Sequence, residues 1–211
     1  MERIFAFGDI HGCFNKLCTL VDMVDINSKK DTVVFIGDYI DRGKESYEVV
    51  DYLINLKSLY KNIVFLKGNH ESLLLDYLQG RNVKTFLENG GRQTLESYNI
   101  RNFDGDDDPI PPSHMEFFSS LKLYHETEEF IFVHAGLKDN VALEDQVEAD
   151  MLWIRKPFIN SDFDFGRRVV FGHTPVKRPL VHSNKIGIDT GAVFGNKLTC
   201  VELPDMNFYS V

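Results

Sequence analysis

Short apolar runs of strand length alternate with stripes of helical period along the first seventy residues. Arg3 to Phe7, Thr32 to Ile36 and Ile63 to Lys67 are the strand-like runs. Between them Leu17, Leu20, Val21 and Val24 recur at helical spacing, and so do Val49, Val50, Leu53 and Leu56. This order predicts parallel strands joined by crossover helices, with both helices packed on one sheet. From residue 73 to about residue 121 the period is mostly helical, broken at Asn89-Gly90-Gly91 and in the acidic, proline-rich stretch from Asp104 to Pro112. The second break predicts an exposed loop within a helical cap. The last eighty residues return to strand patterns at Phe130 to Val133, Val169 to Phe171, Lys185 to Ile188 and Lys197 to Leu203. A single α/β domain with two sheets and a helical cap insertion over about 73–121 accounts for the order.

Composition narrows the class. A chain of 211 residues suits one domain with its own core better than two small modules, and 43% hydrophobic with 26% charged residues is an ordinary globular balance. No apolar run approaches the ~18 residues a membrane span needs. Ile4 to Phe7 is too short for the apolar core of a secretory signal, so the cytoplasm is the expected compartment. A formal charge of −9 disfavours nucleic acid or an anionic membrane as principal partner. Cys13, Cys18 and Cys200 contain no C-x-x-C pair, which argues against a disulfide framework or a structural zinc site.

Each of the first three strands ends in a polar cluster: Gly8-Asp9-Ile10-His11-Gly12, Gly37-Asp38-Tyr39-Ile40-Asp41-Arg42-Gly43 and Gly68-Asn69-His70-Glu71. Val133-His134-Ala135-Gly136 and Phe171-Gly172-His173-Thr174-Pro175 repeat the form. Ligands of open α/β sheets bind at the carboxyl ends of strands, so the clusters should converge. One Gly-Asp pair alone is an ordinary turn, and one histidine at a strand end is an ordinary polar residue. Five strand ends each bearing a metal-competent side chain are not. Asp9, His11, Asp38, Asn69, His134 and His173 form an oxygen and imidazole set that suits manganese, iron or zinc better than calcium. Six side chains exceed what one open catalytic ion takes, and two ions sharing a carboxylate fit the number. His70 is placed to protonate a leaving group with Asp41 to orient it, and Arg42 and Arg155 to bind phosphate oxygens. His114, His125 and His182 lack such a setting and are expected to be structural or surface residues. Arg167 and Arg168 read as a solvated basic pair.

These blocks resemble the signature of the phosphoprotein phosphatase family of metallophosphoesterases, GD-x-HG, GD-x-x-DRG and GNH[ED], here at intervals of 29 and 31 residues between Asp9, Asp38 and Asn69. The GHTP block, Ile188-Asp189-Thr190-Gly191-Ala192 and Trp153-Ile154-Arg155 resemble its compact bacterial and bacteriophage branch, which includes phage lambda phosphatase. The resemblance implies two mixed β-sheets packed as a sandwich flanked by helices. It implies one ion on Asp9, His11 and Asp38 and a second on Asp38, Asn69, His134 and His173, with Asp38 bridging. It gives Arg42, Arg155 and Asn69 to the substrate, His70 and Asp41 to proton transfer, and Glu71 to a supporting hydrogen bond. Two divalent ions, manganese foremost and iron or zinc as alternatives, would activate a bridging water for direct attack on phosphorus. The expected substrate is phosphoserine or phosphothreonine in a protein, or another small phosphoester. The alternative is a diadenosine tetraphosphatase of the same superfamily, a branch whose second block usually lacks an aspartate at the place of Asp41. A catalytically silent scaffold is disfavoured by the completeness of the set.

Overall fold

The computed structural model describes residues 3–99 and 110–211. Most of the predicted acidic loop, Asp104 to Pro109, lies outside them. The first half builds β1 (Ile4–Phe7), α1 (Phe14–Met23), β2 (Thr32–Phe35), α2 (Ser46–Leu59) and β3 (Asn62–Phe65), in the predicted alternation. The strands run parallel, with Ile4 opposite Thr32 and Thr32 opposite Asn62. The cap follows as α3 (Asn69–Leu78), α4 (Val83–Phe86), α5 (Arg92–Asn99) and α6 (Pro112–Ser119). At the predicted Asn89-Gly90-Gly91 break the chain takes a wider turn, and Gly90 carries a φ of 103° that disfavours any residue with a Cβ. His114 is buried in this cap with Nδ1 2.9 Å from the Tyr98 hydroxyl, a structural role as expected.

The second half supplies β4 (Tyr124–Glu126), β5 (Phe130–Val133), the short helices α7 (Glu148–Trp153) and α8 (Lys156–Ile159), then β6 (Arg168–Phe171), β7 (Leu180–Val181), β8 (Lys185–Gly187), β9 (Thr199–Leu203) and β10 (Asn207–Ser210). Sheet order is β10-β9-β1-β2-β3 in one layer and β4-β5-β6-β8-β7 in the other. β5, β6 and β8 are parallel, and antiparallel partners close both edges of this second sheet. The outer strands β4, β7 and β10 were not legible from the hydrophobic pattern. Tyr124–Glu126 and Asn207–Ser210 are partly exposed, and β7 has only two residues, too short for any alternation to register.

Strand alternation divides the interior. Phe5, Phe7, Val33 and Phe35 turn toward α1, α2 and the cap, where they pack with Leu17, Leu20, Val49 and Leu53. Ala6, Val34 and Ile36 turn the other way and meet Phe130, Phe132, Val170 and Ile186 of the second sheet. Ile131, Val133, Val169 and Phe171 back onto Met151 and Phe158. The parallel strands are thus buried on both faces, which is why they read as continuous apolar runs. Among the described residues no helix is long and apolar enough to cross a membrane.

Phe35 stands at the centre of the helix-facing core, its ring stacked at 4.7 Å from Phe7 and 5.4 Å from Phe65, and wholly buried. Phe35→Ala should cost ~3–5 kcal/mol of stability in urea unfolding, because a cavity remains between two strands that cannot close on it. A loss below ~1 kcal/mol would show that this stack does not organise the layer.

Candidate active site

The carboxyl ends of β1, β2, β5 and β6 and the start of α3 meet where the two sheets adjoin. Asp9, His11, Asp38, Asn69, His134 and His173 are all buried there, at 4% exposure or less. Of the eight non-glycine residues with positive φ among the described residues, five are His11, Asp38, Asp41, Arg42 and His173. Such backbone strain costs on the order of 1–3 kcal/mol per residue and collects at functional sites.

Backbone carbonyls set the histidine tautomers. His11 Nδ1 donates to the Ile40 carbonyl at 2.8 Å and His134 Nδ1 to the Ile36 carbonyl at 2.9 Å, which leaves both Nε2 lone pairs facing inward. They point at opposite oxygens of one carboxylate. His11 Nε2 is 3.4 Å from Asp38 Oδ2, and His134 Nε2 is 3.4 Å from Asp38 Oδ1. Asn69 Oδ1 lies 3.0 Å from His134 Nε2 and 2.8 Å from His173 Nδ1. Two groups of potential ligand atoms result, His11/Asp38/His70 and Asp38/His134/His173, each within 4.8 Å. Asp38 belongs to both. Asp9 lies outside both groups, and its carboxylate accepts the His173 amide at 3.0 Å.

His70 faces this centre with Nε2 buried, unpartnered and 3.9 Å from Asp38 Oδ2. Its Nδ1 donates to Asp41 Oδ2 at 2.6 Å. Asp41 is held in turn by the Thr94 hydroxyl, which donates to Oδ1 at 2.6 Å and accepts the Asp41 amide at 2.8 Å, and by Ser46 Oγ at 3.2 Å. Glu71 accepts the amides of Asp38 at 3.0 Å, Tyr39 at 2.8 Å and Gly68 at 2.9 Å, tying two ligand loops together. Arg42 reaches His11 Nε2 with Nη1 at 2.6 Å. Arg155 is exposed at the start of α8, and its charge helps depress the His173 imidazole. Thr94 and Ser46 were missed by the sequence reading, because their role depends on the packing of α5 and α2 against a loop. Asp189, quoted from the sequence only within a resembling block, was given no site role. It is buried just past β8, and the strand-end rule applied there would have found it.

Burial would raise the Asp38 carboxyl, but the imidazoles of His134, His70 and His11 hold it well below the usual range. Burial pushes Asp9 well upward, and the charges of Asp189 and Asp38 add to it. Burial drives His173 down to about 2, with His134 adding repulsion, so that ring is neutral and offers a lone pair, and burial also lowers His134. Burial and Asp38 raise Glu71 to about 8 against the pull of its amide donors. Asp9, Asp38 and Asp189 are buried close enough for their like charges to oppose one another, a repulsion that divalent cations would relieve. The residues therefore fit divalent ions, and Asp38 is common to both groups of candidate ligand atoms.

Two substitutions probe this frame. A Cβ on Gly68 would lie 2.1 Å from Asp38 Oδ1 and 2.4 Å from the Asp38 amide, so Gly68→Ala should weaken manganese binding at least ~10-fold by calorimetry, as displaced ligands do. Unchanged affinity would contradict the placement of Asp38. Thr94→Val removes the hydroxyl that fixes Asp41, and about a tenfold fall in phosphoester turnover with full metal content is expected. Turnover equal to that of the parent protein would show that Asp41 holds itself.

Comparison with known proteins agrees with this centre. The family model for calcineurin-like phosphoesterases matches residues 2–198. The bis(5′-nucleosyl)-tetraphosphatase PrpE (asymmetrical) of Anoxybacillus flavithermus is 30% identical, covering 97% of this chain and 91% of its own. The enzyme of the same name from Halalkalibacterium halodurans is 28% identical over the same shares. Among solved structures, one provisionally identified as a diadenosine tetraphosphatase superposes with a TM-score of 0.76 at 24% identity, covering 100% of this chain and 93% of the other. A serine/threonine protein phosphatase of Saccharomyces cerevisiae gives 0.66 at 18%, covering 100% and 79%, which speaks to the fold alone. The expected likeness to a phosphoprotein phosphatase thus holds at the level of the fold, while these sequence relatives carry the name of the alternative. With a family match over nearly its whole length, the chain belongs to the calcineurin-like phosphoesterases.

Proposed function

We propose that this chain hydrolyses bis(5′-nucleosyl) tetraphosphates, in preference to the phosphoprotein substrate that the motifs first suggested. The observation that carries the choice is similarity over 97% of the chain to tetraphosphatases at 28–30% identity. Divalent ions, with manganese the first choice, would supply an activated water and neutralise phosphate oxygens at Asp9, His11, Asp38, Asn69, His134 and His173. The protein's own part is orientation and charge. Arg42 and Arg155 offer planar guanidinium groups to non-bridging oxygens. His70 holds its Nε2 toward the centre, and the Asp41 carboxylate stabilises the imidazolium that proton donation requires.

One observation favours the second reading, a serine/threonine protein phosphatase. The His70–Asp41 pair at 2.6 Å suits a strongly basic alkoxide leaving group, whereas a departing nucleotide leaves through a phosphate oxygen of pKa about 6 and needs less help. Leaving-group basicity separates the cases. In the manganese-loaded protein, kcat/KM for diadenosine tetraphosphate should exceed that for a phosphoserine peptide by at least ~100-fold, and the reverse order overturns the proposal.

His70→Asn should lose ~10²–10⁴ in rate on the phosphoserine peptide, and much less on diadenosine tetraphosphate or p-nitrophenyl phosphate, with metal content unchanged. Equal losses on all three substrates would assign His70 to phosphate binding or to the nucleophile.

A further inference from the structure

An acidic chain of net charge −9 carries a cleft in which cations outnumber carboxylates, beside the candidate metal site. The cleft, about 510 Å³, is lined by Asn15, Lys16, Arg42, Lys44, Glu45 and Val193, three cations against one carboxylate. Arg42 also touches the metal-ligand candidate His11 at 2.6 Å. At its rim the Phe194 ring is 63% exposed, with the Arg42 guanidinium carbon 5.4 Å from the ring centre.

An exposed phenylalanine on its own is unremarked surface. This one is held on a fixed support. Lys16 donates to the Ala192 carbonyl at 2.9 Å and also to the Asn196 carbonyl, pinning both ends of the short turn that carries Phe194. Asn196 further ties that turn to the Thr190 carbonyl at 2.6 Å. A hydrophobic ring is therefore presented to solvent by an anchored loop, next to an arginine that reaches the reaction centre.

We propose that Phe194 is a stacking surface for one nucleobase of the substrate, and that the cleft takes the attached ribose and phosphates along Arg42. The proposal rests on the dinucleotide reading above. Stacking on a π-face tolerates any base, and the guanidinium beside the ring adds attraction for both the base and its phosphate. A nucleoside phosphate spanning ring and arginine would direct its phosphate chain to the His11 side of the metal centre.

The test compares ligands that differ only by the base. Calorimetric titration of the manganese-loaded protein with adenosine 5′-monophosphate and with ribose 5-phosphate should show the nucleotide binding about tenfold more tightly or better. Phe194→Ala should erase that preference and Phe194→Trp should keep it. Equal affinities in the parent protein, or a preference that survives Phe194→Ala, overturns the stacking site. Turnover of diadenosine tetraphosphate by the parent protein reports separately on the function. A protein with the Phe194-dependent preference but no such turnover keeps the stacking site and loses the proposed function, and turnover without the preference does the opposite.

Discussion

The structure depends on a carboxylate that has nowhere to put its charge except among histidines and cations. Asp38 is 2% exposed, at the end of a strand buried on both faces, and its oxygens divide between His11 and His134. An isolated buried carboxylate is too costly to persist unpaired, and the surrounding loops bring an imidazole to each oxygen. The positive φ angles at His11, Asp38 and His173 are the backbone's share of that arrangement.

Holding such loops in place requires a second layer, and it is made of hydrogen bonds from chain segments far apart. Glu71 gathers amides from the β2 loop and from Gly68, so the first turn of α3 is tied to Asp38. Thr94 connects the cap to Asp41 and thereby to His70. The helical insertion is thus tied to the Asp41–His70 pair, and any motion of α5 changes the geometry of that pair.

What the sequence disclosed follows from the range of the interactions involved. The candidate ligands His11, Asp38, Asn69, His134 and His173 each sit a few residues beyond an apolar run, so the strand pattern itself points to them. Thr94 lies 53 positions from Asp41, and only tertiary packing brings the two together. The edge strands escaped notice because β7 is two residues long and β10 is half exposed. Phe194 gave no signal either, since one aromatic in a glycine-flanked turn means nothing until Arg42 is seen beside it. Asp41 was read as evidence for a protein phosphatase, yet these full-length relatives bear the tetraphosphatase name. A residue that orients an acid reports on the leaving group and says little about what the substrate carries at its far end.

That distinction leaves the phosphoryl subsite a limited part in substrate choice. Either substrate presents phosphate oxygens to the same candidate ligands, and binding common to both cannot supply discrimination, so only the basicity of the leaving group is felt at His70. Selection has to come from surfaces that touch what differs: a peptide chain in one case, bases and a long polyanion in the other. The structure offers two such surfaces, Phe194 with Arg42 beside His11, and Trp153 41% exposed with its ring 5.9 Å from His173. His11 and His173 belong to different groups of candidate ligand atoms, so the two rings stand beside different parts of the site, and a substrate that touches only one of them leaves the other without a part in selection.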